Sequence, residues 1–362
     1  MAGIVRQVSL RPLTHARTHA AGWIAPGTPR RTTPDEQEHH TMSGHTMHAV
    51  TIKEFGGPEV LTPEDVARPE PLPTEVLVRV HAAGVNPVDW KTRAGQGMAG
   101  LQTFPLILGW DVSGVVEQVG FGVTTLQPGD EVYGMPWFPR AGGAYAEYVT
   151  APARQWARKP ATVDHVHAAA VPLAALTAWQ ILVDTAHVQA GQRVLITAAA
   201  GGVGHFAVQF ARHLGAHVIA TASAARHPWL KDLGADETVD YTTTPFEEAA
   251  AGVDVVVDLV GDAYGRTSTR ALQTLSPGGL LIAVPGGVSP ELAAAADAAG
   301  VRATGFLVEP DGPALTSIAD LIDAGEVSVE VEKTFPLAEA AEAHIHGEAG
   351  HTRGKLVLTA AD

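Results

Sequence analysis

The stretch Gly191–Arg212, GQRVLITAAAGGVGHFAVQFAR, decides the fold. Arg193 to Thr197 read as a short buried strand, Ala199 to Gly204 as a turn of small residues, and Val203 onward as a helix with apolar residues at helical spacing. The turn has the form A-x-G-x-x-G, with Ala199, Gly201 and Gly204 in the three glycine positions of a dinucleotide fingerprint. Gly201, Gly202, Val203 and Gly204 would then let the backbone approach a pyrophosphate at the unpaired N–H groups of the helix start. A glycine pattern alone is weak in a chain with 38 Gly. Its context, a strand before, a helix after and a second strand from His217 to Thr221, gives it weight.

The end of that second strand addresses which dinucleotide binds. A site for NAD usually carries Asp or Glu about 20 residues past the glycines. Here the chain reads Thr221, Ala222, Ser223, Ala224, Ala225, Arg226, with no carboxylate. A hydroxyl and a planar guanidinium stand where a 2′-phosphate would arrive, which favours NADP(H). Arg226 as a solvated helix-start residue is the alternative.

The 362 residues suffice for two domains, and 46% hydrophobic against 17% charged residues suffices for large cores. A formal charge of -15 argues against a general nucleic-acid or anionic-membrane partner, since such surfaces need clustered Lys and Arg. Without cysteine, the chain has no disulfides, thiolate nucleophiles or thiolate metal sites. No apolar run is long enough to span a bilayer.

Residues 1–46 carry scattered arginines and prolines, an acidic patch at Asp35, Glu36 and Glu38, and no periodicity, so a disordered leader is expected. A transit peptide and an upstream start that adds a functionless leader are both open readings. From Met47 the chain alternates: Glu75 to Ala83, Pro105 to Val116 and Glu131 to Tyr133 read as strands separated by turns, implying a compact β-barrel-like domain. Past about Val163 strands at 193–197, 217–221, 254–260 and 279–284 alternate with helices at 203–214, 226–233 and 265–274. That alternation indicates a doubly wound parallel sheet with helices on both faces. The last strand, Lys355 to Thr359, is expected to return to the β domain.

Several motifs in one order resemble the medium-chain dehydrogenase/reductase superfamily, within it the zinc-independent quinone oxidoreductase or zeta-crystallin-like branch. They include EFGGPEVL at Glu54–Leu61, GVNPVDWKTRAG at Gly84–Gly95, LGWDVSGVVEQVG at Leu108–Gly120, PGDEVYG at Pro128–Gly134, AAVPLAALTAW at Ala169–Trp179 and GHTRGKLVL at Gly350–Leu358. The resemblance spans about residues 47–362. It implies a GroES-like β-barrel domain over residues 47–170, a Rossmann NADP-binding domain over 171–307, a return to the first domain over 308–362, a cleft between domains, and a homodimer. Relatives that oxidise alcohols hold a catalytic zinc. Here the first ligand position is Asn86, and the expected histidine is replaced by Trp110 and Asp111, so no metal site is expected. Hydride delivery to a quinone or an activated C=C bond needs only hydrogen-bond donors and a later proton.

Asn86 is similar to the Asn that faces the nicotinamide in zinc-free relatives, and Asn before Pro is also a common turn residue. Lys91 is the charged candidate for the nicotinamide ribose or a developing enolate, or a solvated lysine. Asp89 is expected to orient Lys91 or the loop rather than to act as a base. Trp110, Trp137 and Phe138 are candidate walls of an apolar substrate pocket; Tyr145 and Tyr148 are expected to pack in the barrel. Thr177 resembles the family Thr beside the nicotinamide. Ser223, Arg226 and Tyr241 are candidates around the 2′-phosphate and adenosine, and Val260, Arg353 and Lys355 for the rest of the cofactor. The expected function is NADPH-dependent reduction of a small-molecule quinone or enone, with a cytoplasmic location; enoyl-thioester reduction and NADPH binding without chemistry are the alternatives.

Overall fold

The computed structural model describes residues 46–360. The expected leader lies outside the described residues, except that Thr46 already opens the first strand, Thr46–Ile52.

Six parallel strands form one sheet in the order Glu237–Asp240, His217–Ala222, Arg193–Ile196, Val253–Asp258, Leu275–Ala283, Arg302–Gly305. Numbered along the chain this order is 3-2-1-4-5-6, that of a doubly wound dinucleotide-binding sheet. Both faces are buried. Val194, Ile196, Val218, Ala220, Val255, Val257, Leu280 and Ile282 join one core, and Leu195, Ile219, Val256 and Leu281 the opposite one. A strand alternates sides at every residue, so continuous apolar runs are what two helix-covered faces require.

The first half makes an antiparallel sheet from Glu75–Val85, Asp111–Val119, Glu131–Gly134, Tyr148–Pro152 and Trp156–Arg158. The C-terminal strand Lys355–Thr359 pairs antiparallel with Glu75–Val85, as the sequence suggested, and Val331–Pro336 pairs with it in turn. Phe335, Leu356 and Leu358 therefore share the barrel core with Val78, Val80 and Val112. The helix Gly312–Asp323 lies within the 308–362 segment assigned to the return; it packs against Trp156–Arg158 and Pro172–Trp179, and the Tyr133 hydroxyl donates to its Leu315 carbonyl.

Two sequence readings need correction. Pro105 to Val116 is not one strand: the chain breaks at Gly109, whose φ is 89°, between Leu106–Ile107 and Asp111–Val119. Ahead of the parallel sheet the chain forms the helices His165–Ala169 and Pro172–Trp179 and a wider helical turn over Gln180–Thr185, with Pro172 at the start of the second helix. The helix Pro290–Ala299 was not anticipated; Ser289 caps it by accepting from Leu292 N–H, and its alanine-rich face offers little periodicity.

The glycine turn takes the expected form. A methyl on Gly204 would lie 2.5 Å from the Ala198 carbonyl oxygen and 2.6 Å from Ala199 Cα, so only glycine permits this helix to sit so close to the strand. Gly201 is different: a methyl there would meet only the Ala198 oxygen, at 3.3 Å. Gly204→Ala is thus expected to lower the unfolding free energy by about 1–3 kcal/mol in urea, and Gly201→Ala by less than about 0.5 kcal/mol. Equal losses would contradict the packing.

Candidate active site

The strand Glu75–Val85 ends at Asn86, which precedes the helix Pro87–Arg93. The sequence fixes this turn locally: Pro87 opens the helix, and Asp89 Oδ2 accepts from the backbone N–H of Asn86 at 2.7 Å. Asn86 Nδ2 donates to Asp111 Oδ2 at 2.7 Å, and Asp111 Oδ1 accepts from Leu173 N–H at 2.6 Å, at the start of the helix that carries Thr177. Into this corner runs Lys355. Its ammonium donates to Asn86 Oδ1, to the Val85 carbonyl at 3.1 Å and to Asp111 Oδ2 at 3.3 Å. The side chains of Lys355 and Asp111 are 2% and 0% exposed. Two buried opposite charges, each filled with hydrogen bonds, are the arrangement in which the interior tolerates ions.

Lys355 also reaches the glycine turn. Its Cδ stands 3.0 Å from where a Gly202 Cβ would be, and Gly354 N–H donates to the Ala200 carbonyl at 3.0 Å. The last strand therefore lays its lysine stem along the start of the helix Gly202–His213 and its head on Asn86. Gly201, Gly202 and Val203 stay half-exposed, so the helix start remains accessible.

The next group surrounds Arg226. Its guanidinium donates to the His351 carbonyl at 3.2 Å, so the segment before Lys355 meets the end of the second strand. Arg353 pairs with Glu330, and its guanidinium carbon lies 5.0 Å over the Trp229 ring. Ser223 and Arg226 bound the short turn Ala224–Arg226; Tyr241 stands just past Glu237–Asp240, half-exposed. Ala199 is wholly buried under the turn. Across the sheet's switch point, Asp258 Oδ1 accepts from Thr197 Oγ1 at 2.8 Å and Val260 N–H at 3.0 Å, which fixes the loop after Asp258 beside the glycine turn.

Other expectations fare differently. Lys91 is half-buried, and its ammonium has no hydrogen-bond partner among the described residues; no bond joins it to Asn86 or Asp89. Lys355, read from sequence as a cofactor residue, is the cation that touches Asn86. The Thr177 hydroxyl donates to the Leu173 carbonyl at 2.7 Å, one turn back. Of the three aromatics, Trp137 lines an open groove of about 450 Å³ together with Leu101, Gln102, Pro139 and Arg140. Trp110 and Phe138 pack edge-to-face at 5.5 Å in the core behind it, and Trp110 Nε1 donates to the Arg140 carbonyl at 2.6 Å. Trp137 is held at both ends, N–H on Gln155 Oε1 and Nε1 on the Thr150 carbonyl, with a φ of 59° that is strained for a bulky residue.

Two buried histidines escaped the sequence reading. His205, in the first turn of the helix after the glycines, bonds the Gly201 carbonyl through Nδ1 at 3.1 Å, and burial pushes its pKa down to about 4. His344 lies on the helix Ala340–Glu348, and burial with the nearby Arg93 charge pushes it down to about 3. Nothing local marks His344, which meets Tyr145 across 199 residues of chain.

Models of two families match the chain: the alcohol dehydrogenase GroES-like domain over residues 72–161 and the zinc-binding dehydrogenase over residues 233–358. The chain belongs to the medium-chain dehydrogenase/reductase superfamily, in its quinone oxidoreductase branch. It is 36% identical to the mouse mitochondrial NAD(P)H oxidoreductase RTN4IP1, over 86% of this chain and 89% of that protein. It is 35% identical to a chloroplastic NADPH-dependent alkenal/one oxidoreductase of Arabidopsis thaliana, over 86% of this chain and 79% of that protein. The quinone oxidoreductase of Coxiella burnetii superposes with a TM-score of 0.82 at 37% identity, covering 87% of this chain and 99% of that one. The protein is accordingly an oxidoreductase of a family that uses a nicotinamide cofactor. No described helix is long and apolar enough to cross a membrane. The names of two relatives place those proteins in organelles, which lends the expected cytoplasmic location of this chain no support.

The Lys355–Asp111 pair makes a stability prediction. Lys355→Met leaves a buried carboxylate uncompensated and is expected to lower the unfolding free energy by about 3–5 kcal/mol. Adding Asp111→Asn should recover at least half of that loss in urea titrations; no recovery would contradict a charge-pair origin.

A second prediction concerns acid. With folded pKa values near 4 and 3 against an ordinary 6.5, His205 and His344 bind protons more readily in the unfolded chain. The stability they permit is full above pH 6.5 and declines as pH falls through 6.5 toward those values. Thermal scans from pH 7.5 to 4.5 should show a falling midpoint that His205→Phe flattens in part.

Proposed function

We propose that the protein is an NADPH-dependent, zinc-independent reductase of electron-poor double bonds conjugated to a carbonyl, quinones and enones being the two forms of that class. The observation that carries the reading is the Lys355 ammonium seated on Asn86 Oδ1, Asp111 Oδ2 and the Val85 carbonyl. In the alcohol-oxidising relatives that the sequence resembles, the positions of Asn86 and of Trp110 and Asp111 carry ligands of a catalytic zinc. The donors here do not fit that ion: the available oxygens already face an ammonium, and the chain offers no cysteine.

NADPH fits the chain's residues. The half-exposed N–H groups of Gly202 and Val203 suit a pyrophosphate, Arg226 and Arg353 suit a 2′-phosphate, and the loop at Val260 lies across the same crevice. Bound there, the cofactor supplies the hydride. Asn86 Nδ2 carries two hydrogens, one spent on Asp111, so the second is available to a carbonyl oxygen that gains charge. The ammonium on Asn86 Oδ1 polarises the amide and strengthens that donor. Trp137, rigid and strained beside the groove, suits a flat acceptor.

In stopped-flow, NADPH is expected to be oxidised by benzoquinone or a simple alkenone with a rate unchanged by chelator. Arg226→Ala should weaken NADPH binding by about 10–100-fold, the loss of a charge-assisted bond to phosphate, and leave NADH binding nearly unchanged. Failure of both acceptors would overturn the catalytic reading, and tighter binding of NADH than of NADPH the cofactor assignment.

A further inference from the structure

Behind the Asn86 turn lies a buried line of polar groups that the proposed chemistry does not use. Arg93 Nη1 meets His344 Nδ1 at 3.1 Å, His344 Nε2 meets the Tyr145 hydroxyl at 3.1 Å, and that hydroxyl meets Asp89 Oδ2 at 3.0 Å. Asp89 Oδ2 is the same oxygen that accepts the Asn86 backbone N–H. All four side chains are buried. Arg93 is in turn fixed by Glu348, at 2.6 Å, and by the Gly56 carbonyl at 3.2 Å.

The direction of every bond follows from one end. A guanidinium has no acceptor, so Arg93 donates and His344 Nδ1 accepts. A neutral imidazole has a single ring hydrogen, which must then sit on Nε2 and be donated to Tyr145 Oη. Tyr145 spends its own hydrogen on Asp89. The line can run only from Arg93 to Asp89, and it delivers a donor to a carboxylate that holds the Asn86 amide.

We infer that Arg93, His344 and Tyr145 are positioning residues for the Asn86 turn: their one-way hydrogen-bond line favours the ionised form of Asp89, and the ionised carboxylate fixes the backbone of Asn86. The inference rests on the proposed reductase reading only for its effect on turnover; the geometry is independent of it. The charged and titratable groups that face Asp89 are Tyr145 on the loop before Tyr148–Pro152, His344 and Arg93 beyond it, Asp111 on Asp111–Val119 and Lys355 on Lys355–Thr359. Burial pushes Asp89 up to about 7; the Asn86 N–H, Tyr145 and Lys355 hold it down and Asp111 pushes it further up. Asp89 Oδ1 has no partner among the described residues, so a proton taken up near neutral pH has an open oxygen to occupy. The line's last donor is thus opposed to a proton for which the site is nearly balanced.

The test is a carboxyl-carbon NMR titration of Asp89, assigned with Asp89→Asn, in wild type and three variants without cofactor. Tyr145→Phe removes the donor, and His344→Leu removes the Nε2–H that supports the Tyr145 hydroxyl in donating to Asp89. Each is expected to raise the Asp89 pKa by about 1–2 units. His344→Gln can accept from Arg93 through its oxygen and donate to Tyr145 through its nitrogen, and should leave the pKa within a few tenths of wild type. In turnover with benzoquinone, the acid limb of kcat should move to higher pH in Tyr145→Phe and His344→Leu while KM for NADPH stays the same. An unshifted Asp89 in the first two variants, or a shift in His344→Gln as large as in His344→Leu, overturns the inference. An inactive wild type defeats the reductase reading and leaves the titration to decide this one.

Discussion

The structure depends on a buried ammonium. Lys355 belongs to the last strand, yet its head lies between Asn86 at the end of one strand and Asp111 at the start of another, and its stem lies along Gly202 in the parallel-sheet layer. An isolated charge in that position would be prohibitive, and the three oxygens around it are what make it tolerable. Chain regions nearly 270 residues apart are therefore held in register by one side chain.

The consequence for chemistry is that Asn86 is fixed on three sides. Its oxygen meets Lys355, its nitrogen meets Asp111, and its backbone N–H meets Asp89. An amide so constrained loses little entropy when a carbonyl docks on its remaining hydrogen, the kind of preorganisation that stabilises developing charge. Under the proposed reading, Gly202 and Lys355 would also bring the cofactor's phosphate turn and the substrate amide onto one rigid body.

Much of the fold was legible because it is written locally. The two-sided burial of Val194, Leu195 and Ile196 appears as an apolar run, and the need for Gly204 appears as a glycine. The C-terminal strand and its return to the β domain were read from the sequence, but not the strand it pairs with. The site was legible only where it is local. Asn86 and Arg226 lie beside strand ends, where functional residues collect, and each could be named from its neighbours. Lys355 could be placed near the cofactor but not on Asn86, because that contact spans 269 positions. His344, and the bonds of Tyr145 beyond its expected barrel packing, were hidden for the same reason: a buried hydrogen bond between distant residues leaves no periodicity or spacing. Trp110 and Phe138 were misread because an aromatic ring near a strand end looks alike whether it faces a pocket or a core.

The most direct measurement is a double-mutant cycle on kcat/KM for NADPH-dependent quinone reduction, with Asn86→Ala, Lys355→Met and their combination. If the ammonium works through the Asn86 amide, each single change lowers kcat/KM by about 10²–10³-fold, and the double variant is little worse than the more damaged single one. Losses that multiply in the double variant would show two independent groups and contradict the account.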